Sequence, residues 1–375
     1  MAQPTGQQPT GAPSAASGPS ASSVPLRVAM RVRPPRRDEP RCHVDCDPRI
    51  GTRLAVRLPQ PAVHEFGLVL GPSCSQRDVY LTCGAPMLEA AFAGQDSLLF
   101  SYGSTSSGKT HSMYGVDGGT NLTRLDGVVP TLVTELFKRT MLIEKAGEDK
   151  FALTATFVEA QGNHIVDLLA DEKERENRER GEPTFLKVHL QEGKPPEVAG
   201  ARRERVYSSR SLAHLIQNAA SLEPPQPPTQ AQMPAAAPPP SANRIAAGAA
   251  GAAGAGAGSA AGGAGATVNG GGASGESGGP SVGPQNHRIL TLELERRFLT
   301  GGVVQRTATS RFYFVDLAGA ENFDLGAAKA GRWINRGVLA VGRVILALAE
   351  GDAHVPYRDY PLTTLFAAIL GSRNT

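Results

Sequence analysis

The sequence predicts an α/β fold in which a central mixed sheet is flanked by helices, and three features predict it. Ser97-Leu98-Leu99-Phe100-Ser101 is a short apolar run suited to a buried strand, and it leads into Gly103-Ser104-Thr105-Ser106-Ser107-Gly108-Lys109-Thr110. That octapeptide satisfies G-x-x-x-x-G-K-[ST], and it sits where a phosphate loop must, between a strand and a helix start. Before it, Ser75-Gln76-Arg77-Asp78 opens a helix that Gly94 closes, so the order is helix, strand, loop. After it, a second apolar strand, Arg311-Phe312-Tyr313-Phe314-Val315, runs into Asp316-Leu317-Ala318-Gly319. Together these define a core of the P-loop NTPase type.

The loop residues carry the chemistry. Gly103 and Gly108 permit backbone angles that a side chain forbids, and the N–H groups along Ser104, Thr105, Ser106 and Ser107 can then turn inward around phosphate. Lys109 would reach the β- and γ-phosphates, and the Thr110 hydroxyl would ligate Mg²⁺. A strand ending in Asp316, with Gly319 three residues later, lets a carboxylate hold the Mg²⁺ shell through water while a glycine N–H faces the γ-phosphate. Asp-x-x-Gly says little alone. Paired with the loop, it points to a nucleoside triphosphate with Mg²⁺.

The remaining elements follow from periodicity. Leu26 to Arg33 alternates apolar and basic residues and stops at Pro34-Pro35, which reads as a strand, and Leu54–Leu58 and Phe66–Leu70 read as further strands. In the helix opened at Ser75, a hydroxyl cap precedes a carboxylate by three residues, and Val79, Cys83, Met87, Leu88, Ala91 and Phe92 recur at helical spacing. Gly127-Val128-Val129-Pro130 opens a second amphipathic helix through Leu132, Leu136 and Phe137. A strand is expected over 151–159, a short apolar element over 164–169, a helix over 209–220 and a strand over 289–295. Helices over 334–350 and 361–370 close the chain, the last with Pro361 in its first turn and Gly371 after its end.

Composition limits the folded part of the 375 residues, because the 43 glycines and 29 prolines are unevenly spread. Residues 1–24 form an Ala/Ser/Pro/Gly-rich tail, and the expected domain over 25–375 is interrupted by a Pro-rich insert at 221–240 and an Ala/Gly-rich insert at 248–284. None of these stretches can bury enough apolar surface to offset its ordering entropy. No N-terminal stretch joins positive charge to an apolar run, so no secretory signal is expected, and the glycines of 246–266 disqualify that tract as a membrane span. Cys42, Cys46, Cys74 and Cys83 make no disulfide framework in a chain of this size, and Cys42-His43-Val44-Asp45-Cys46 lacks the second pair that a zinc site needs. A net charge of +3 makes no case for nucleic acid.

The motifs taken together resemble a kinesin motor domain. The resemblance rests on R-x-R-P at Arg31 to Pro34, G-P-x-x-x-Q at Gly71 to Gln76, GSTSSGKTHSM at the phosphate loop and VDLAGAE from Val315 to Glu321. INRGVLAVGRVI from Ile334 to Ile345 is similar to the family's INKSLLALGxVI, and HVPYRD from His354 to Asp359 matches nearly letter for letter. The resemblance implies ATP and Mg²⁺ as ligands, ATPase activity, microtubules as partner, and a place in the cytoplasm on the cytoskeleton. It implies that Arg31, Pro34 and His111 flank the adenine, and that Lys109, Gly319 and Glu321 serve the catalytic step. Arg343, His354, Tyr357 and Arg358 would face the acidic surface of tubulin.

The departures are equally specific. Where kinesins carry S-S-R-S-H in the first switch, this chain has Gly283-Pro284-Gln285-Asn286-His287, so only the histidine matches. Gln285 leaves Glu321 without its arginine, and Ser274, Ser277, Ser281 or Arg288 are the candidates to stand in. Ser241 to Ala247 resembles the family's NRSVAAT, which puts the Ala/Gly insert inside the first-switch loop. Residues 322–333 form a shorter loop with fewer lysines, and Pro361 and Thr364 stand where the family has Lys and Arg. The family's last core strand, final helix and neck linker have no counterpart before Thr375, so directed stepping is not expected of this chain alone. Two rival readings follow: a pseudo-motor that binds nucleotide and microtubules without turnover, and a small-molecule kinase, for which no substrate lid is visible and which leaves HVPYRD unexplained.

Overall fold

In the computed structural model, which describes residues 26–35, 44–47, 49–57, 61–119, 126–147, 149–180, 182, 184–190, 195–220, 286–320 and 336–370, the apolar runs of the sequence become strands of two main sheets. All of these residues lie in one of two compact units, 1–225 with 283–375. The second unit, 226–282, lies outside the described residues, as do the expected tail, both inserts and Glu321.

The first sheet holds β1 (Ala29–Arg31), β2 (Val44–Cys46), β3 (Ile50–Val56) and β4 (Ala62–Leu70) in the order β1-β4-β3-β2. β1 runs parallel to β4, with Arg31 opposite Leu70. The alternating strand expected at 26–33 is thus real but belongs to this smaller sheet rather than to one continuous central sheet.

Next comes a helix in three parts: α1 (Gln76–Val79), a π-helical turn (Tyr80–Gly84) and α2 (Ala85–Phe92). Ser75 and Asp78 form the capping box that their spacing predicts. The π turn was not expected, and its cause is Pro86, which has no N–H and whose ring would collide with the carbonyl four residues back. The Ala85 N–H accordingly reaches the carbonyl of Tyr80, five residues away.

The second, six-stranded sheet is built around β5 (Ser97–Ser101), β6 (Asp149–Gln161), β7 (His164–Asp167) and three strands further along the chain. Between β5 and β6 lie α3 (Lys109–Tyr114) and α4 (Val128–Lys145), and after β7 come α5 (Glu172–Glu179), the hairpin β8 (Lys187–His189) with β9 (Glu197–Ala199), β10 (Glu204–Val206) and α6 (Ser209–Ala220). β11 (His287–Thr300) and β12 (Val303–Asp316) form a long hairpin, and α7 (Arg336–Glu350) and α8 (Pro361–Leu370) follow. The order is β10-β6-β11-β12-β5, with β7 sharing the outer edge of β6. Within this sheet, among the described residues, only β5 and β12 pair in parallel, and Ser101 stands opposite Asp316.

Strand periodicity divides the core in two. Leu290, Leu292, Leu294, Phe312 and Phe314 point to one face, where they meet Leu88, Leu132, Leu136 and Leu212 from α2, α4 and α6. Ile289, Tyr313 and Val315 point to the other, against Val341 of α7 and Leu362, Leu365 and Phe366 of α8. A strand covered on both faces must be apolar at successive positions, which is why Phe312 to Val315 shows no alternation. Among the described residues, no helix is long and apolar enough to cross a membrane.

This division is testable by substitution. Leu292, fully buried in the first face, should cost about 2–5 kcal/mol when replaced by Ala. Leu346, 56% exposed on α7, should cost no more than about 0.5 kcal/mol. Urea unfolding of the two variants measures both, and comparable losses would contradict the assigned faces.

Candidate functional site

The phosphate loop leaves β5 and turns into α3 through backbone that glycine alone adopts easily. Gly108 has φ +98° and Gly103 φ +149°, and a Cβ at Gly103 would lie 2.8 Å from Ser107 Oγ. Ser106 also takes a left-handed conformation, at φ +61°. The Lys109 ammonium donates to the carbonyls of Gly103 and Ser104 at 2.9 and 2.8 Å, inside the curve of the loop.

Two hydroxyls converge on Asp316. Ser101 Oγ donates to Oδ1 at 3.0 Å and Thr110 Oγ1 to Oδ2 at 2.5 Å, so the strand end, the loop helix and the preceding strand meet at one carboxylate. The Ala320 N–H donates to the Gly103 carbonyl at 3.1 Å, which lays the segment carrying Gly319 against the loop. These residues fit a phosphate chain with a hard cation. The loop closes on a curve that a Cβ would fill, and Ser101, Thr110 and Asp316 offer only oxygen donors, the set Mg²⁺ prefers. Among the described residues no group of three or more His, Cys, Asp or Glu could hold a metal, and Cys42 and His43 lie outside them.

A groove of about 420 Å³ continues from Ser107 and Gly108 along Arg31, Arg33, Pro34, Gln76 and His111. The structure therefore brings together the residues expected around the adenine. Arg31 Nη1 donates to Gln76 Oε1 and to Ser112 Oγ, each at 2.7 Å. Burial lowers the Arg31 pKa, opposed by the nearby thiols of Cys74 and Cys83 and the Asp126 carboxylate. Burial also pushes up the Cys74 thiol, which lines the same groove.

On the other side of Asp316 stand residues that sequence reasoning missed. Tyr114 is 2% exposed, its ring lies 6.5 Å from that of Phe157, and its hydroxyl has no hydrogen-bond partner among the described residues. Burial raises its pKa, reinforced by the Asp316 carboxylate and opposed by Arg288. The Glu159 carboxylate, 1% exposed, accepts from Asn286 Nδ2 at 2.9 Å, Gln161 Nε2 at 2.7 Å and Arg288 Nε at 3.3 Å. Arg288, a candidate stand-in for the switch arginine, is thus paired with a buried carboxylate on β6; Ser274, Ser277, Ser281 and Gln285 lie outside the described residues. The signal for Glu159 was present as an acidic residue ending an otherwise apolar strand, since a carboxylate there needs a donor set when buried.

His287, the one matched residue of the first-switch motif, is buried at the start of β11. Its Nδ1 accepts from the Ala318 N–H at 3.2 Å, and its ring packs edge-on against Tyr360 at 6.3 Å. A Cβ at Gly337 would lie 2.2 Å from its Nε2, so the first turn of α7 carries a glycine where the imidazole occupies that space. Of the residues expected at the filament surface, Arg343, His354 and Arg358 are exposed. Tyr357 differs: its hydroxyl is buried, and its carbonyl accepts from the hydroxyls of Thr363 and Thr364 in the first turn of α8.

The sheet order and the loop between β5 and α3 place the chain in the P-loop α/β class of folds. Residues 50–224 and 283–375 match the family model described as the kinesin motor domain, and the chain belongs to that family. It is similar to "Kinesin-like protein KIN-5A" of Oryza sativa subsp. japonica, 26% identical over 377 residues that cover 95% of this chain and 30% of the relative. It is also similar to the "Kinesin heavy chain" of Caenorhabditis elegans, 25% identical over 355 residues that cover 93% of this chain and 35% of the relative. "Kinesin-related protein 3" of Dictyostelium discoideum is 27% identical over 316 residues, 82% of this chain and 21% of its own. The chain thus spans about a third or less of the length of these relatives.

Replacing Arg288 by Leu leaves the Glu159 carboxylate buried without its cation, at an expected cost of about 3 kcal/mol. The double variant Arg288→Leu, Glu159→Gln removes the charge as well and should recover most of that loss. Urea midpoints for the two decide it; a double variant as unstable as the single one would show that packing, not charge, dominates there.

Proposed function

We propose that this chain binds ATP with Mg²⁺, docks on microtubules and hydrolyses the bound ATP in support of microtubule-based movement, in the cytoplasm on the cytoskeleton. The observation that carries the reading is the convergence of Thr110 and Ser101 on Asp316, with Lys109 inside the loop and the Gly319 segment bonded to it through Ala320 and Gly103. Mg²⁺, held by Thr110 and, through water, by Asp316, would neutralise charge on the phosphates. Lys109 would bind the β- and γ-phosphates as a cation, and the Gly319 N–H would orient the γ-phosphate. In the reaction a water oxygen attacks phosphorus in line, the bond to the bridging oxygen breaks, and ADP and phosphate leave. Glu321 would complete the site. Exposed Arg343, His354 and Arg358 on and beside α7 supply positive charge for an acidic filament surface.

A second reading, a pseudo-motor that holds nucleotide and filament without turnover, is favoured by one observation. Arg288 is paired with Glu159, and losing one preorganised transition-state donor costs on the order of a hundred- to a thousand-fold in rate.

Phosphate release by the full chain, with and without taxol-stabilised microtubules, separates the readings. Microtubule-stimulated release that disappears in Lys109→Ala is the outcome expected of the enzyme. ATP binding with no release above the Lys109→Ala background would replace it by the pseudo-motor.

A further inference from the structure

Gln76 stands between two walls of the groove that leads away from the phosphate loop, and its amide bonds in both directions. Oε1 accepts from Arg31 Nη1 at 2.7 Å, and Nε2 donates to the backbone carbonyl of His111 at 2.5 Å. Turning the amide over would set its NH₂ against a guanidinium and its oxygen against a carbonyl, so only one orientation satisfies both neighbours. Ser112 Oγ accepts from the same Arg31 Nη1 at 2.7 Å and donates to the Gly108 carbonyl at 2.8 Å. Both hydrogens of Nη1 are therefore engaged, and the plane of the guanidinium is set. Gln76 is itself held by the Ser75–Asp78 capping box that anchors the start of α1. The result is a closed ring of bonds linking β1, α1 and α3, and it is separate from the contacts of Lys109 and Thr110.

We propose that Gln76 is a positioning residue that fixes the Arg31 guanidinium against α3 and thereby shapes the part of the groove that takes the planar base-and-ribose end of the nucleotide. This inference rests on the nucleotide-binding reading above and deepens it. Beyond Ser107 and Gly108 the groove presents the flat guanidinium of Arg31, the pyrrolidine of Pro34 and the imidazole of His111, surfaces suited to a planar heterocycle rather than to phosphate. With Gln76 removed, that nitrogen of Arg31 keeps Ser112 as its one partner among the described residues, and the arriving base must order the side chain at its own expense. The phosphate end is untouched, because no bond from Gln76 reaches Lys109, Thr110 or Asp316.

The test compares two ligands that share the phosphate chain and differ in the base: ATP and inorganic tripolyphosphate, each with Mg²⁺, titrated calorimetrically into the full chain. Gln76→Met, close in length but without the amide, should raise the Kd for ATP about tenfold, as expected for two lost hydrogen bonds. The Kd for tripolyphosphate should change by less than about twofold. Ser112→Ala, which removes the other acceptor and leaves Gln76 in place, should shift the ratio of the two constants in the same direction. Gln76→Glu, which keeps an oxygen toward Arg31, should regain part of the ATP affinity. Equal weakening toward both ligands in Gln76→Met and Ser112→Ala, or unchanged ATP affinity in both, would overturn the proposal. An unaltered chain that bound neither ligand would overturn the nucleotide reading itself, and with it this inference, and that failure is visible before any substitution is made.

Discussion

The carboxylate of Asp316 is the point on which the site depends. It is reached by Ser101 at the end of β5 and by Thr110 in the first turn of α3, each more than two hundred positions earlier in the sequence. What brings them together is the parallel pairing of β5 with β12, which puts Ser101 opposite Asp316 at the C-terminal ends of both strands. In open α/β sheets the crevice beyond such strand ends is where ligands bind, because loops leave there and helix starts point back toward it. A slip of one residue in this register would turn Asp316 to the other face of the sheet and take its carboxylate from both hydroxyls. The packing on both sides opposes that slip, since Phe312 and Phe314 on one face and Tyr313 and Val315 on the other would all have to exchange environments.

The same register sets how the site meets the helices behind it. The segment after Asp316 is bonded to the loop through Ala320 and Gly103 and to β11 through Ala318 and His287. His287 also fills the space above Gly337 at the start of α7 and packs on Tyr360 just before α8. One imidazole therefore touches the backbone beside the phosphate site and the two helices of the opposite layer. With its Nδ1 accepting a backbone hydrogen bond, the ring is held in one orientation, and a shift of the Ala318 segment must move the ring, the first turn of α7, or both. The glycine at 337, where the family's pattern has serine, is the local adjustment that makes this contact possible.

Much of this was legible from residue order because several signals are local. The phosphate loop, the capping box at Ser75, the helix over 209–220 and the apolar strand before Asp316 each carry their cause within a few residues, and the structure reproduces them. What escaped was non-local or depended on a competing effect. The strands of β11 and β12 run well beyond the alternating windows because pairing around Gly301 and Gly302 extends them through polar positions. The π turn follows from one proline inside an otherwise regular helical pattern. β8, β9 and β10 are three residues each, too short for a period to show, and exist through their partners. At the site, Glu159 and Tyr114 became visible only when β6 and α3 were set beside β11. Tyr357 sits in a motif whose resemblance points outward, whereas its hydroxyl is buried and its carbonyl accepts from two threonine hydroxyls of α8. Motif matching finds residues, but it does not say which way they face.

The arrangement around Glu159 bears on how binding and turnover divide in this chain. A carboxylate 1% exposed is costly to bury, and here Asn286, Gln161 and Arg288 together offset that cost. Those donors come from the end of β6 and the start of β11, so the positive charge of Arg288 is engaged in holding two strands in register. The phosphate loop draws on none of them. Ser101 and Thr110 bond to Asp316 of β12, and Lys109 bonds to the carbonyls of the loop itself. On the proposed function, binding and the chemical step would therefore rest on different parts of the sheet. In the proposed reaction, substitution at the first switch would lower the preorganisation available to a transition state while leaving the cradle for the ground state intact. On the proposed function, a chain built this way would lose rate by orders of magnitude and still hold nucleotide, and nucleotide affinity alone would be no measure of its turnover.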